Sequence, residues 1–187
     1  IKEFVMSYII NHQQKFADLK FQIEHQDRLR RQANGGNSIL FSYPPNEEYL
    51  YIEKAKEIYI DKAVFIDISQ LLVEFIDRDG WDSFEEYYND FIQTPCLIFR
   101  SDDPTPDLFD MIINEIKDSC RNDKIPILIR TGCLYGTGID NVNIMENKTV
   151  IKLPHPLVIF YPSRIEGDNI YFLNFKPASK YRCTLVK

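Results

Sequence analysis

The residues best suited to chemistry form a glycine-rich segment, Thr131 to Gly138, with the sequence TGCLYGTG. Glycines let the backbone approach a phosphate closely, and the amino end of a following helix attracts anions. The segment lacks the lysine of the G-x-x-x-x-G-K-[ST] phosphate loop. Two interpretations therefore stay open, a structural turn and a nucleotide-binding loop. The residues that would contact a nucleotide are Thr131, Gly132, Gly136 and Gly138.

Other candidate chemical groups are isolated in the sequence. Pro44-Pro45 follows the first apolar run, and a proline has no amide hydrogen to offer to a phosphate. Asp67 ends another apolar run, where an acid can hold a metal but more often caps the next helix. The three histidines and four cysteines show no metal-ligand spacing, and there is no G-x-S-x-G elbow. We therefore expect no metal site, no cofactor and no catalytic residues.

Four apolar runs have the pattern of strands buried on both faces of an α/β sheet. They are Ser38 to Tyr43, Lys62 to Ile68, Ile125 to Arg130 and Leu157 to Tyr161. Segments with apolar residues at helical spacing separate these runs, and such alternation indicates βαβ units. The predicted fold is α/β and three-layered, with a mostly parallel sheet flanked by helices.

The two ends of the chain add to this plan. Glu3 to Arg31 predicts one or two helices that stop at Asn34-Gly35-Gly36, so an N-terminal helical segment covers about residues 1–34. Ile170 to Phe175 is expected to pair with Tyr181 to Val186 as an antiparallel C-terminal edge. A length of 187 residues fits one domain, 1–187.

Local sequence also predicts two helix starts. Ser83 with Glu86 has the spacing of a capping box. Thr105 is a suitable cap, and Pro106 then takes the first helical position.

Composition limits the classes of partner. A net charge of −6 and a pI near 5.1 argue against a protein that holds duplex DNA by itself, because phosphate neutralisation needs clustered cations. One basic triplet, Arg28, Arg30 and Arg31, leaves direct nucleic-acid binding as an alternative, although cations in a last helical turn also favour the helix dipole. The sequence shows no secretion signal and no apolar run near 18 residues, so we expect a cytoplasmic protein without membrane contact.

Several motifs resemble the BrxB family, the small core subunit of BREX phage-defence systems. SILFSYPP at Ser38 to Pro45 resembles the family's first strand and its turn. Thr131-Gly132 matches a family Thr-Gly, and His155 to Pro162 is close to the family's Pro-Leu-Val-x-Phe-Tyr-Pro run. Tyr181-Arg182 looks like the family's terminal Tyr-Arg.

The chain departs from the family pattern at three turns. Ser163 replaces the glycine usual after Phe-Tyr-Pro, and Ile165-Glu166-Gly167 replaces Tyr-Asp-Gly. Gly136 stands where the family tends to have proline. These changes affect loop conformation and leave the expected fold unchanged.

The resemblance implies a bacterial, cytoplasmic component of a complex that marks host DNA by methylation and blocks phage replication. It implies binding to a PglZ-type subunit and, through it, to a methyltransferase and a large ATPase, with DNA reached only via the complex. It implies no catalytic residues. The expected function is a non-catalytic adaptor, and tyrosine and arginine are frequent at binding hot spots. The residues expected to bind the partner are Tyr161, Arg164, Tyr181 and Arg182.

Overall fold

The computed structural model describes residues 2–101 and 104–187. Its helices are α1 (Lys2–Glu24), α2 (Gln26–Gln32), α3 (Glu48–Tyr59), α4 (Ile68–Asp77), α5 (Trp81–Asp90), α6 (Cys96–Phe99), α7 (Leu108–Ser119), α8 (Asn141–Met145) and α9 (Lys148–Ile151). Its strands are β1 (Ser38–Tyr43), β2 (Ala63–Asp67), β3 (Ile125–Ile129), β4 (Leu157–Glu166), β5 (Asn169–Phe172), β6 (Lys176–Ala178) and β7 (Cys183–Val186). Short 3-10 turns occupy Pro45–Glu47, Cys120–Asn122 and Thr131–Leu134.

Five parallel strands form the central sheet in the order β2-β3-β4-β1-β7. The apolar runs of β1 and β3 are buried along their whole length, as expected for strands with helices on both faces. The predicted α/β class and its mostly parallel sheet are confirmed. The four predicted strands all form, and the first begins and ends at the predicted residues.

Side chains alternate between two apolar cores, one on each face of the sheet. On one face, α1, α2 and α3 cover Ile39, Phe41 and Phe160, with the rings of Phe41 and Phe160 stacked at 4.7 Å. On the other face, α4, α6, α7, α8 and α9 cover Leu40 and Ile159. Because successive side chains of a strand point to opposite faces, one apolar run supplies both cores. The three-layer prediction is confirmed.

The predicted pairing at the C-terminal end is wrong. Strand β4 runs on past β1, and its last four residues, Ser163 to Glu166, pair antiparallel with β5 across a tight turn at Gly167-Asp168. Strand β5 pairs in turn with β6, and these extra strands form the antiparallel part of the sheet. Strand β7 lies parallel to β1, with Ser38 opposite Cys183. Strand β5 pairs with β4 because the two strands are joined by a tight turn. Strand β7 then pairs with the free edge of β1.

Side chains cap several helices, and two of the predicted caps are wrong. The carboxylate of Asp67 accepts a hydrogen bond from the amide of Ser69 at 3.1 Å, so Asp67 caps α4. Helix α7 is capped by Asp107, not by Thr105, and Ser83 lies inside α5, not at its cap. Aspartate is an equal or better cap than threonine, and Asp107 reaches the Asp110 amide at 2.8 Å.

The long first helix, α1, packs against the sheet through Phe16 and Leu19. Among the residues that the structure describes, no helix combines the length and the apolar character needed to span a membrane.

Candidate functional site

The glycine-rich segment forms a compact turn directly after β3. The hydroxyl of Thr131 is buried and donates to the carbonyl oxygen of Phe160 on β4 at 2.7 Å. The amides of Cys133, Tyr135 and Thr137 donate to carbonyl oxygens within the turn. These amides hold the turn closed, so they are not directed at an external phosphate.

Packing explains Gly138 of this turn, and backbone conformation explains Gly136 and also favours glycine at position 138. A Cβ atom on Gly138 would lie 2.3 Å from the Cβ of Cys96, so only glycine permits this approach of two segments. Gly136 has a φ of +90°, which favours glycine, whereas a Cβ atom on Gly132 would make an ordinary contact with Leu173 at 3.5 Å. The cavity under the turn measures about 10 Å³, which is room for one water molecule at most. These contacts favour the structural interpretation of the segment over nucleotide binding.

Asp67 and Arg130 form an ion pair at the carboxyl ends of β2 and β3. Asp67 also accepts hydrogen bonds from the amide and the hydroxyl of Ser69. Its oxygens thus cap a helix and hold a guanidinium. Across residues 2–101 and 104–187, no group of three His, Cys, Asp or Glu side chains is arranged to hold a metal ion.

Cys133, in the same turn, has an unreactive environment. Burial raises the pKa of its thiol, and the negative charges of Glu48 and Asp67 raise it further, while Arg130 lowers it. Because the thiolate is the reactive form, the thiol of Cys133 is a poor nucleophile at neutral pH.

Tyr161, one of the four predicted partner residues, belongs to the core. Only 5% of its surface is exposed, and its ring stacks on Phe172 at 4.7 Å. Its hydroxyl donates to the side-chain oxygen of Asn141 at 3.4 Å, and burial raises its pKa. A side chain with so little accessible surface cannot anchor a partner, so this residue is removed from the predicted binding surface.

Tyr181 and Arg182 lie at the amino end of the sheet, just before β7. Arg182 stacks over the ring of Tyr181 at 5.5 Å and has a left-handed φ of 58°. Its backbone packs on Gly36, where a Cβ atom would lie 2.0 Å from the Arg182 carbonyl oxygen. Arg164 lies beyond the carboxyl end of β1, a strand about 20 Å long at roughly 3.3 Å per residue. The predicted residues therefore occupy opposite ends of the sheet and do not form one surface.

Arg164 lies near three aromatic residues of the β4–β5 hairpin and the neighbouring turns, of which Tyr135 and Phe175 are exposed and Tyr171 is half-buried. Its guanidinium stacks over the ring of Tyr171 at 4.8 Å, donates to the carbonyl oxygen of Asn174 at 3.2 Å and pairs with Glu166. The ring of Phe175 meets that of Tyr135 edge-on at 5.3 Å. We define the hairpin surface as Tyr135, Arg164, Tyr171 and Phe175.

Two members of the hairpin surface have more than half of their surface exposed. Tyr135 is 54% exposed and Phe175 is 56% exposed. Sequence reasoning missed Tyr135, Tyr171 and Phe175, which lie up to 40 positions apart. The signal was available in part, because Tyr135 stands inside a glycine-rich turn and Phe175 follows a strand, where aromatic rings have little core to enter.

The basic triplet of α2 is divided between structural roles. Arg30 donates to the carbonyl oxygen of Leu153 at 3.0 Å, and Arg28 stacks over the ring of Phe21 at 5.3 Å. Arg31 donates to the carbonyl oxygen of Asp27 within the helix. Since only part of the triplet faces solvent, the alternative of nucleic-acid binding through it loses support.

Comparison with models of known protein families, with curated proteins and with solved structures gives no match for this chain.

Proposed function

We propose that this protein is a non-catalytic adaptor subunit of a BREX-type anti-phage defence complex, and that it binds a PglZ-type subunit through the hairpin surface. The methyltransferase and the large ATPase would be reached through that subunit, and DNA only via the assembled complex. The adaptor would work in the bacterial cytoplasm.

The motifs that resemble BrxB occupy adjoining parts of the fold, which supports treating them as one signature. SILFSY is β1, and Leu157 to Pro162 is the half of β4 that pairs with it. Tyr181-Arg182 leads into β7, on the other side of β1. Thr131-Gly132 begins the glycine-rich turn, and the Thr131 hydroxyl donates to the carbonyl oxygen of Phe160 on β4. Motifs far apart in sequence thus lie on or next to the adjacent strands β4, β1 and β7.

The observation that carries the proposal is the exposure of the paired rings of Tyr135 and Phe175, next to the Asn174 carbonyl oxygen that accepts a hydrogen bond from Arg164. Aromatic residues and arginine are enriched in the centres of protein interfaces, while lysine and acidic residues are depleted there. Tyr135 and Phe175 hold each other edge-on, so their rings are positioned before a partner arrives and little side-chain entropy is lost on binding.

The test is co-expression with a PglZ-type protein, followed by affinity capture at moderate salt. Wild-type protein should capture that subunit in stoichiometric amount. The double variant Tyr135→Ala/Phe175→Ala should bind at least roughly 30-fold more weakly, because truncating a hot-spot residue costs about 2 kcal/mol or more.

The matched control is Tyr49→Ala/Trp81→Ala, which removes two aromatic side chains that are 72% and 57% exposed and lie outside the hairpin surface. This control should bind like wild type. Equal capture by wild type and the hairpin double variant, or no capture by wild type, would remove the proposal.

Charge-reversal variants show which end of the sheet binds the partner. Arg164→Glu should weaken capture, because its guanidinium lies on the hairpin surface. Arg182→Glu should leave capture unchanged, because Arg182 lies at the opposite end. The reverse pattern would move the partner site to the amino end of the sheet.

A further inference from the structure

A crevice of about 580 Å³ opens beyond the carboxyl ends of the central strands, apart from the glycine-rich turn. The ends of β1 and β4 form its floor with Ser42 and Ser163, and Arg164, Asn174 and Lys187 lie at its rim. Its volume is in the range of small-molecule sites.

The crevice lies where the sheet changes winding direction. The helix after β1, α3, packs on one face of the sheet, whereas α8 and α9, which connect β3 to β4, pack on the other. The strands on either side of β4, β1 and β3, therefore send the helices that follow them to opposite faces of the sheet, while β4 itself continues into the β4–β5 hairpin. Open α/β sheets bind ligands at such a point.

A buried lysine is the distinctive feature of this crevice. Lys15 reaches it from α1 and is only 8% exposed. In the described part of the chain, its ammonium donates to the carbonyl oxygen of Ser42 at 3.2 Å, which uses one of three available hydrogens. It also lies 5.2 Å from the ring centre of Tyr51. Buried charges are normally paired or bind a ligand.

The carboxylates near Lys15 have other partners. Glu47 is close enough to raise the pKa of Lys15, against the larger lowering by burial, but its oxygen lies 3.4 Å from the ring nitrogen of His12. Glu48 accepts a hydrogen bond from the hydroxyl of Tyr43 at 2.7 Å.

The rest of the crevice is polar and positive. Arg164 and Lys187 add two cations at the rim, and Glu166, paired with Arg164, is exposed. The hydroxyls of Ser42 and Ser163 bond to each other at 2.8 Å on the floor. Of the residues that the structure describes, three cationic side chains and no carboxylate side chain line the crevice. The carboxylates that interact with those cations lie outside its lining and are Glu166, Asp168 and Glu47.

The geometry points to a binding site for a phosphate group in this crevice, with Lys15 as the buried cation, Arg164 and Lys187 as rim cations, and the serine hydroxyls as further hydrogen-bonding groups. A phosphate offers several acceptor oxygens to the unused hydrogens of Lys15 and competes with Glu166 for the guanidinium of Arg164. The size of the crevice admits either inorganic phosphate or the phosphates of a nucleotide.

The test measures thermal unfolding and calorimetric binding of the full chain with sodium phosphate, with ADP and with sodium chloride at matched ionic strength. Phosphate or ADP should raise the unfolding temperature above the chloride control, because a ligand of the folded state stabilises it. Tighter binding of ADP identifies a nucleotide as the source of the phosphate group. Binding of phosphate alone identifies the free anion.

Three variants locate the site. Lys15→Met keeps the apolar stem, so it should fold at least as well as wild type without ligand but bind phosphate at least tenfold more weakly. Lys20→Met removes an exposed lysine of the same helix, paired with Glu24 at 3.8 Å, and should bind like wild type. Lys187→Gln changes only the rim, so it should fold normally and also weaken binding.

Equal effects of phosphate, ADP and chloride on wild type would overturn the inference, as would binding that Lys15→Met and Lys187→Gln both leave unchanged. The measurement uses the isolated protein and variants outside the hairpin surface. Its failure would therefore leave the adaptor proposal standing, and failure of partner capture would leave the phosphate site standing.

Discussion

Replacing Asn37 with aspartate should destabilise the protein by an amount that grows with pH. Asn37 is fully buried just before β1. Its side-chain amide donates to the carbonyl oxygens of Leu153 at 3.0 Å and His155 at 3.1 Å, and its oxygen accepts from Gln26 at 2.8 Å. One side chain thus joins α2, β1 and the segment that leads into β4.

The size of the effect follows from this geometry. A protonated aspartate keeps one donor and loses one hydrogen bond, which is worth about 1 kcal/mol. An ionised aspartate would place a carboxylate against carbonyl oxygens in a buried site, so its folded-state pKa must lie well above the unfolded value of about 3.9. If the pKa rises by about two units, ionisation adds nearly 3 kcal/mol at pH 7.

The sign of the pH dependence is fixed by the raised pKa. Below about pH 3 the new carboxyl is protonated in both the folded and the unfolded chain, so the variant should lose about 1 kcal/mol there. As pH rises, the unfolded chain releases its proton first, and the loss should reach about 4 kcal/mol at pH 7.

Urea unfolding of wild type and Asn37→Asp between pH 4.5 and 7.5 measures this difference. Asn46→Asp is the matched control, because Asn46 is exposed and its substitution should change stability by no more than about 0.5 kcal/mol. A loss below 1 kcal/mol at pH 7, or a loss that does not change with pH, would refute the role assigned to the Asn37 amide.

Two further predictions concern packing and thiol reactivity. Gly36→Ala should lower the free energy of unfolding by about 3 kcal/mol, because the new Cβ would lie 2.0 Å from the Arg182 carbonyl oxygen. Gly35→Ala is the control, because Gly35 has a φ of +80° but open space around it, and this variant should lose only about 1 kcal/mol. Equal losses for the two variants in urea unfolding would contradict this prediction. Mass-spectrometric alkylation at pH 8 should modify exposed Cys96 first and Cys183 last, because burial raises the pKa of Cys183 to about 12 and the thiolate is the reactive form. The reactivity of Cys183 should still increase above pH 9, and equal rates for the two thiols would contradict the assignment.

The central strands could be predicted from the sequence because each is a continuous apolar run between turn signals. Ser38 to Tyr43 forms β1 without adjustment, and Ile125 to Ile129 forms β3. Strand pairing at the C-terminal end could not be predicted. Strands β5 and β7 have four residues each and mixed burial, so their side-chain patterns do not distinguish an antiparallel pair from two strands on different partners.

The candidate site was hard to predict for two reasons. One predicted residue is buried, and two of the exposed residues are far apart in the sequence. Tyr161 lies in the same unbroken apolar run as Phe160, and the structure buries both. A run buried on both faces leaves no surface residue, which was a reason in the sequence to assign Tyr161 to the core. Tyr135 and Phe175 come together only because the β4–β5 hairpin folds back towards the turn after β3, and no local pattern encodes that contact.

Hydrogen–deuterium exchange of the chain, with and without a PglZ-type subunit, tests whether the hairpin surface binds that subunit. Binding should slow exchange in residues 171–175 and 133–137, which carry the exposed rings, and should leave α5 and residues 179–184 unchanged. Slower exchange confined to α5 or to residues 179–184, with none in the hairpin, would contradict the claim.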